Sequence, residues 1–494
     1  MQTKNKRPSV AIIKTSTIYP SIFAPPNYYP EFQNLQLHDM INEENSVFDA
    51  IREAFILLGF DKENINQHNW NPLKEIIQPG NTVLMKPNFV LHKSLNKGNS
   101  LNTLLTHPSI IFAILDYVIL ALKDKGKIII GDAPIQEADF NEILSQLNIL
   151  DTINIYRAKT KIKIEIIDFR MEMSINKKYR EIQRIDLSGD PQGYKIIDLG
   201  NKSKFIEITD ESSLFRVTNY DKEKMTQFHF SNHHAYVIAA SALEADVIIS
   251  LPKLKSHRKA GLTCALKNLI GINGTKDCLP HHRRGSLEEG GDEYLFKSFR
   301  KKFLSNLEEK RAHSSSAIYC FFIYLLKSFI NLTEKIFLYK DSFKQGSWYG
   351  NKTIPRTLVD INYIINFASK NGSLDDLKPK RKFLAITDAV IGGEKEGPLH
   401  PTRKELGYII ISEDFLANDL ASSYLVGFDP NKIPSLIFTL NSEANINQIL
   451  NPEDIRIISN DSKISDIHDL VKNNELVFEP SEGWKGHIEL KNEE

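Results

Sequence analysis

The 494-residue sequence predicts an α/β fold: a mainly parallel sheet flanked by helices, with a second, smaller α/β unit and a helical insertion. Three observations carry that expectation. Apolar runs of strand length at Thr82–Met85, Lys127–Ile130, Val247–Leu251 and Phe383–Ile386 alternate with stretches of helical periodicity, the rhythm of βαβ units. Several of these runs end in polar residues, Lys86 with Asn88, then Asp132, then Lys253 with Lys255; in a parallel sheet such ends share one edge, where ligands of α/β proteins collect. Hydrophobic residues make up 41% of the chain, enough for a large core, and the length suits two or three compact units better than one.

Taken in order, Ser9–Ile13 reads as a strand and Tyr19–Phe32 as an irregular arm. Ser46 stands where a helix cap is needed, Val47, Ile51, Ala54, Phe55 and Leu58 form one apolar stripe, and Gly59 follows the last turn. Pro108 suits a first helical position after His107, with Ile111, Ile114, Leu115, Val118 and Leu122 as the buried face. Between 161 and 221 the β-prone runs IKIEIIDF, YKIIDL and KFIEIT suggest an antiparallel extension, and His233–Leu243 reads as a helix. The central stretch follows. Val247–Leu251 is a buried strand whose ladder Pro252 should end, since proline has no N–H to donate. Lys253, Lys255, His257, Arg258 and Lys259 then form a cationic loop, leading to a helix with Gly261 and Thr263 in its first turn and Gly271 at its end. Beyond an insertion at about 280–350, a last α/β unit opens near Thr353. It contains a glycine-bearing loop from Asp388 to Pro398, in which Asp388, Glu394 and Glu396 surround Gly392 and Gly393. Ser412 or Asp414 caps the next helix, where Asp419 departs from the apolar stripe and reads as a buried polar anchor. Residues after Glu475 read as a peripheral tail. The expected segments are thus 1–279, 280–352 and 353–494.

Charge narrows the partners. Lys+Arg and Asp+Glu both number 62, so no global field draws the chain to nucleic acid, and anion binding has to be local. Three widely spaced cysteines, Cys264, Cys278 and Cys320, fit a reducing, cytoplasmic setting and form no ferredoxin-type iron–sulfur motif. The N-terminus does not read as a secretory signal. The apolar stretch Ala317–Leu326 is too short to span a bilayer before Lys327. It reads as a buried helix of the insertion, with peripheral membrane contact through 317–337 as the alternative.

The candidate site follows from the strand ends. Lys255, His257, His107 and Asp132 are the expected catalytic groups: lysines crowded by other cations have lowered pKa values and act as bases or nucleophiles, histidine works near neutral pH, and Asp132 can orient a histidine or hold a cation. Lys86, Asn88, Lys253, Lys267, Asn268, Gly393 and Glu396 are expected to bind the substrate, a small carboxylate- or phosphate-bearing anion. The competing readings are a non-catalytic anion-binding protein, metal-dependent redox or racemase chemistry, and a merely solvated basic edge. His281 and His282 are adjacent, so on a strand they would face opposite sides, which counts against a shared metal.

KPNF at Lys86–Phe89, His107-Pro108, GDAP at Gly131–Pro134, ADVIISLPKLKSH at Ala245–His257, LKNLIG at Leu266–Gly271, TDAVIGGEKEGP and SEDFLANDLAS together resemble proteins with the domain of unknown function 362. The resemblance runs from about Thr82 to Gly427. Some members carry ferredoxin-type cysteine clusters, which this chain lacks, so the simplest redox role is not implied. A looser likeness of layout is to the lactate racemases with their nickel-pincer cofactor, through Lys255, His257 and Gly261. It implies a two-domain α/β enzyme with its site in the cleft between domains, and neither the covalent lysine nor the nickel is carried over.

Overall fold

The computed structural model describes residues 7–33, 35, 41, 43–96, 100–176, 182–217, 222–312, 314, 316–336, 343–374, 378–472 and 475–490. One ten-stranded mixed sheet organises it. Its strands in chain order are β1 (Ser9–Lys14), β2 (Thr82–Pro87), β3 (Lys127–Asp132), β4 (Lys163–Asp168), β5 (Val247–Leu251), β6 (Lys253–His257), β7 (Gly261–Thr263), β8 (Lys382–Glu396), β9 (His400–Ser412) and β10 (Arg456–Ser459). Across the sheet the order is β10-β1-β9-β8-β5-β2-β3-β4, with β6 on β8 and β7 on β6. The run β8-β5-β2-β3-β4 is parallel; β9 is antiparallel to both of its neighbours, and β7 to β6. Strands from the first and third expected segments therefore hydrogen-bond within one sheet.

Both faces of the sheet are covered, which is why its strands read as continuous apolar runs. Alternate residues point into two cores. Val83, Met85, Ile128, Ile130, Ile249 and Leu384 meet helices α1 (Ser46–Leu58) and α2 (Pro108–Leu122) on one face. Leu84, Ile129, Ile248, Phe383 and Ala385 belong to the other core, with the helices Thr353–Phe367 and Phe415–Leu425. The short helix α3 (Ala265–Asn268) follows β7, the pair α4 (Phe299–Ala312) and α5 (Ala317–Ile336) occupies the insertion, and α6 (Thr353–Phe367) and α7 (Phe415–Leu425) cover the second face. The α1 cap is Asn45, whose side chain accepts from the Phe48 N–H, one residue ahead of the expected Ser46. Asp414 caps α7. Asp419 is indeed a buried anchor: its two carboxylate oxygens accept from the N–H groups of Ala265 (2.7 Å) and Leu266 (3.1 Å), capping α3 from a neighbouring helix.

Several local expectations are corrected. His233–Ala239 is a strand, antiparallel to Tyr194–Asp198, and only Ala240–Glu244 is helical; the β-branched and aromatic content of Tyr236, Val237 and Ile238 outweighs the helical spacing. KFIEIT belongs to a 3-10 segment, Lys204–Leu214, rather than a strand. The glycine-bearing loop is the second half of β8, because Gly392 and Gly393 pair with Lys404 and Arg403 of β9. The tail is not peripheral: Phe478, Trp484 and Ile488 are buried, and the Trp484 indole N–H donates to the Arg258 carbonyl at 2.8 Å.

Helix α5 is not buried either. Cys320 and Ile323 face inward, but Ile318, Phe322, Leu325 and Phe329 are exposed. The side chains of residues 331–336, and residue 337, lie outside the described residues. No helix among the described residues is long and apolar enough to cross a membrane.

Candidate functional site

The expected cationic loop is a strand. Pro252 lacks an N–H, but its carbonyl accepts from Asp388 N at 2.9 Å. Strand β8 shifts register there and goes on to pair with β6, Lys253 opposite Asp388 and Lys255 opposite Gly393. Thus proline interrupts only the donor side of the ladder. Strand β7 folds back on β6, pairing Thr263 with Lys255 and Gly261 with His257, so the expected first helical turn is a hairpin arm and the helix starts at Ala265. Gly261 has φ +78°, and a Cβ there would press on Trp484 and Ile488.

Two buried ion pairs stand beside this hairpin. At the ends of β2 and β3, Lys86 Nζ meets Asp132 Oδ1 at 2.7 Å and also donates to the Pro87 carbonyl (2.7 Å) and Asn268 Oδ1 (3.2 Å). Asp132 Oδ2 accepts from Phe89 N at 2.7 Å. Asn268 donates to the Lys86 carbonyl and to Ser250 Oγ, so its amide holds strands β2 and β5 in place. Gly271 lies against this pair: a Cβ would collide with Asp132 Oδ1 and stand 2.6 Å from Lys86 Nζ. Gly271→Ala is therefore expected to cost about 1–3 kcal/mol through overpacking, read as a lower urea midpoint. An unchanged midpoint would show that the pair yields freely. The second pair is Lys253 with Asp388, 2.6 Å apart and inaccessible to solvent. Tyr19 from the irregular arm donates to Asp388 Oδ1 at 2.7 Å, His107 N donates to Oδ2 at 3.0 Å, and the Tyr19 and His107 rings stack at 3.7 Å.

Between the ends of β2, β3 and β6 lies a cavity of about 320 Å³. Lys255, His257, Arg258, Lys259, Lys267, Lys276 and His281 line it with Asn88, Asp132, Thr263, Asn268 and Gly271. Pro398 and Leu399 line it as well, bringing in the chain just beyond β8. Burial, with repulsion from Lys276 and Lys86, lowers the Lys267 ammonium to about 8. Lys276 falls to about 8 through burial, despite Asp132, and Lys259 to about 7 through burial and then Arg258. Lys255 lies well below the ordinary lysine value, by burial and then by Lys267 and Lys253; its ammonium donates to Asn88 Oδ1 at 2.7 Å and to the Leu104 carbonyl at 2.6 Å. Desolvation and like charge thus act together on four lysines at one place.

The two histidines are held as opposite tautomers. His257 Nδ1 accepts the N–H groups of Lys259 and Ala260, both at 3.1 Å, so its proton sits on Nε2. His281 Nδ1 lies 2.7 Å from the Leu279 carbonyl and must donate, which leaves Nε2 as an acceptor. Burial, then the neighbouring Lys259, lowers His281 to about 3; burial, then Lys267, lowers His257 well below its usual range. Both rings are neutral at pH 7, one offering a donor and the other an acceptor. Thr263 adds a buried hydroxyl without a hydrogen-bond partner.

The structure therefore separates the sequence-predicted residues. Lys255, His257, Asp132, Asn88, Lys267 and Asn268 line the cavity, and Lys86 stands directly behind Asp132. His107 and Lys253 do not line it, being consumed by the Asp388 network. Gly393 is a pairing position opposite Lys255, and Glu396 accepts from Glu482 N on the C-terminal segment. Lys259, Lys276 and His281 stood in the same basic stretch of sequence, so density of charge was the signal for them. Thr263 was marked only as a first-turn residue of the expected helix, and it reaches the cavity from a strand instead. Among the described residues no group of three or more His, Cys, Asp or Glu is placed to hold a metal ion.

Residues 186–423 match the family model described as Domain of unknown function (DUF362). This stretch is similar to DUF362 proteins. β5–β9 and α3 lie within the DUF362 match, whereas KPNF, His107-Pro108 and GDAP precede it and reach it through space, Lys86 and Asp132 meeting Asn268 and Gly271. No curated protein matches the chain. Among solved structures, a crystal structure of a Thermotoga maritima protein from the Northeast Structural Genomics Consortium aligns over 73% of this chain and 54% of its own, at 12% identity and a TM-score of 0.27. The chain thus spans about half of that protein's length. The likeness of layout to the lactate racemases is not borne out by these comparisons.

Proposed function

We propose that the cavity at the ends of β2, β3 and β6 binds a small carboxylate- or phosphate-bearing molecule, and that the protein is an enzyme transferring a proton or a group beside the bound anion. One observation carries this reading: Lys255, Lys259, Lys267 and Lys276 converge on one cavity whose lining carboxylates are Asp132, already paired with Lys86, and Glu137. An anion would relieve that crowding, and charge-assisted hydrogen bonds from ammonium groups suit it. For chemistry, Lys259 near 7 and Lys267 and Lys276 near 8 are poised to exchange a proton close to neutral pH. His257 Nε2–H acts as a fixed donor, and His281 Nε2 accepts from a ligand hydroxyl or amine.

Isothermal titration of inorganic phosphate and of succinate into the wild type and Lys267→Met tests the reading. Lys267 is preferable to Lys255 for this purpose, because removing Lys255 would strand Asn88 Oδ1 and the Leu104 carbonyl in the interior and disturb folding. Loss of the Lys267 ammonium is expected to weaken anion binding by about 1.5–3 kcal/mol, roughly 10- to 150-fold. Equal affinity in both proteins, or no binding to the wild type, would end the proposal. The alternative of a non-catalytic binder is favoured if anions bind with the expected dependence on Lys267 but binding shows no linkage to proton uptake between pH 7 and 9.

A further inference from the structure

Helix α5 shows an apolar stripe to solvent at helical spacing. Ile318 is 73% exposed, Phe322 62%, Leu325 46% and Phe329 65%, a large patch for a soluble surface. On the neighbouring helix Phe299 and Phe303 are also exposed, as is Phe296 just before it. The pair is basic: eight Lys and Arg stand against three Glu between Phe296 and Ile336. Two of those glutamates are turned to internal partners, Glu309 to Arg216 and Arg284, and Glu308 to Lys327 and Arg311. Lys297 and Lys310 are exposed with the aromatic rings, and Lys302 is exposed beside Glu289 at 2.9 Å. The geometry points to the α4–α5 pair as a docking surface for an anionic lipid bilayer, with the stripe of α5 immersed at the headgroup level and the basic residues against lipid phosphates.

Charge selects the occupant. A second copy would bring an equally basic face to this one, which disfavours self-association, whereas an anionic headgroup layer complements it. The surface also adjoins the cavity. Glu309 of α4 is tied to Arg216, next to the cavity-lining Val217, and Gln345, where the chain returns from the insertion, lines the cavity too. Docking would therefore hold the cavity's mouth beside the bilayer.

The experiment is flotation of the full chain with vesicles of equimolar phosphatidylcholine and phosphatidylserine, beside vesicles of phosphatidylcholine alone. Association with the mixed vesicles is expected, weakening with added salt and falling by more than about tenfold in Phe322→Ser/Phe329→Ser. Both positions are exposed, so that variant should keep the wild-type melting temperature and its phosphate affinity. Failure of the wild type to float with mixed vesicles overturns the proposal, as does equal flotation of the variant. Equal binding to neutral vesicles would overturn the electrostatic half. A concentration-dependent dimer that the double substitution abolishes would assign the surface to a second copy instead.

Discussion

Asp388→Ala is expected to destabilise the protein by about 3–5 kcal/mol, the usual consequence of leaving one member of a buried ion pair without its partner. Lys253 and Asp388 are both fully enclosed, so the stranded ammonium has no water to turn to. The same carboxylate accepts from the Tyr19 hydroxyl and from His107 N; removing it also takes away one tie between the arm and the sheet. Urea unfolding reads the loss directly. Lys253→Met/Asp388→Leu, which replaces both charges with apolar groups of similar bulk, should recover most of it, since a matched apolar pair avoids the desolvation penalty. If Asp388→Ala costs less than about 1 kcal/mol, the pair is not the clamp described above. Phosphate affinity of the surviving folded protein should change far less than stability, because neither residue lines the cavity.

Stability should rise with pH between about 7 and 10, and added phosphate should flatten that rise. Lys259, Lys267 and Lys276 have folded-state values of about 7, 8 and 8, below the value near 10.4 of an unfolded chain. In that window the unfolded chain binds more protons, so the unfolding free energy increases with pH. Well below pH 7 all three are charged in both states and the penalty is complete, on the order of 3 kcal/mol for a lysine lowered by two units. Above pH 10 it is gone, and buried tyrosines with raised values, Tyr19, Tyr117 and Tyr156, begin to act in the opposite sense. A bound dianion would restore the lysine values, so phosphate should raise the melting temperature more at pH 7 than at pH 9. A flat profile from pH 7 to 10 without phosphate would mean that the lysines are not crowded as the structure has them.

The strand-and-helix rhythm was legible because both faces of the sheet are covered, which writes each strand as an unbroken apolar run. Several places misled. At Pro252 the rule that proline ends a ladder concerns the missing donor, and here the carbonyl continues it to Asp388. At Gly392 and Gly393 the glycines suggest a turn, yet the long antiparallel pairing with β9 holds them extended, a tertiary choice with no local trace. Tyr19 and Trp484 brace the site from opposite ends of the sequence, and no spacing links either to the residues they touch. The cavity lysines were legible as a charge cluster. Their sorting into cavity wall, ion pair and clamp depends on which acid each one reaches: Asp132 for Lys86, Asp388 for Lys253, and a pair of neutral acceptors for Lys255.

Strand β1 is made well before either of the strands it pairs with. Val10 pairs with Ser412 on one side and Ile457 on the other, so both neighbours emerge from the ribosome about 400 residues later. At a synthesis rate of about 5–20 residues per second, that is a wait of roughly 20–80 s with two unsatisfied edges and an apolar sequence, SVAIIK. During that interval α1, which packs on β1, has no complete sheet to cover. The slowest folding step should therefore be closure of β1 between β9 and β10, with its high contact order.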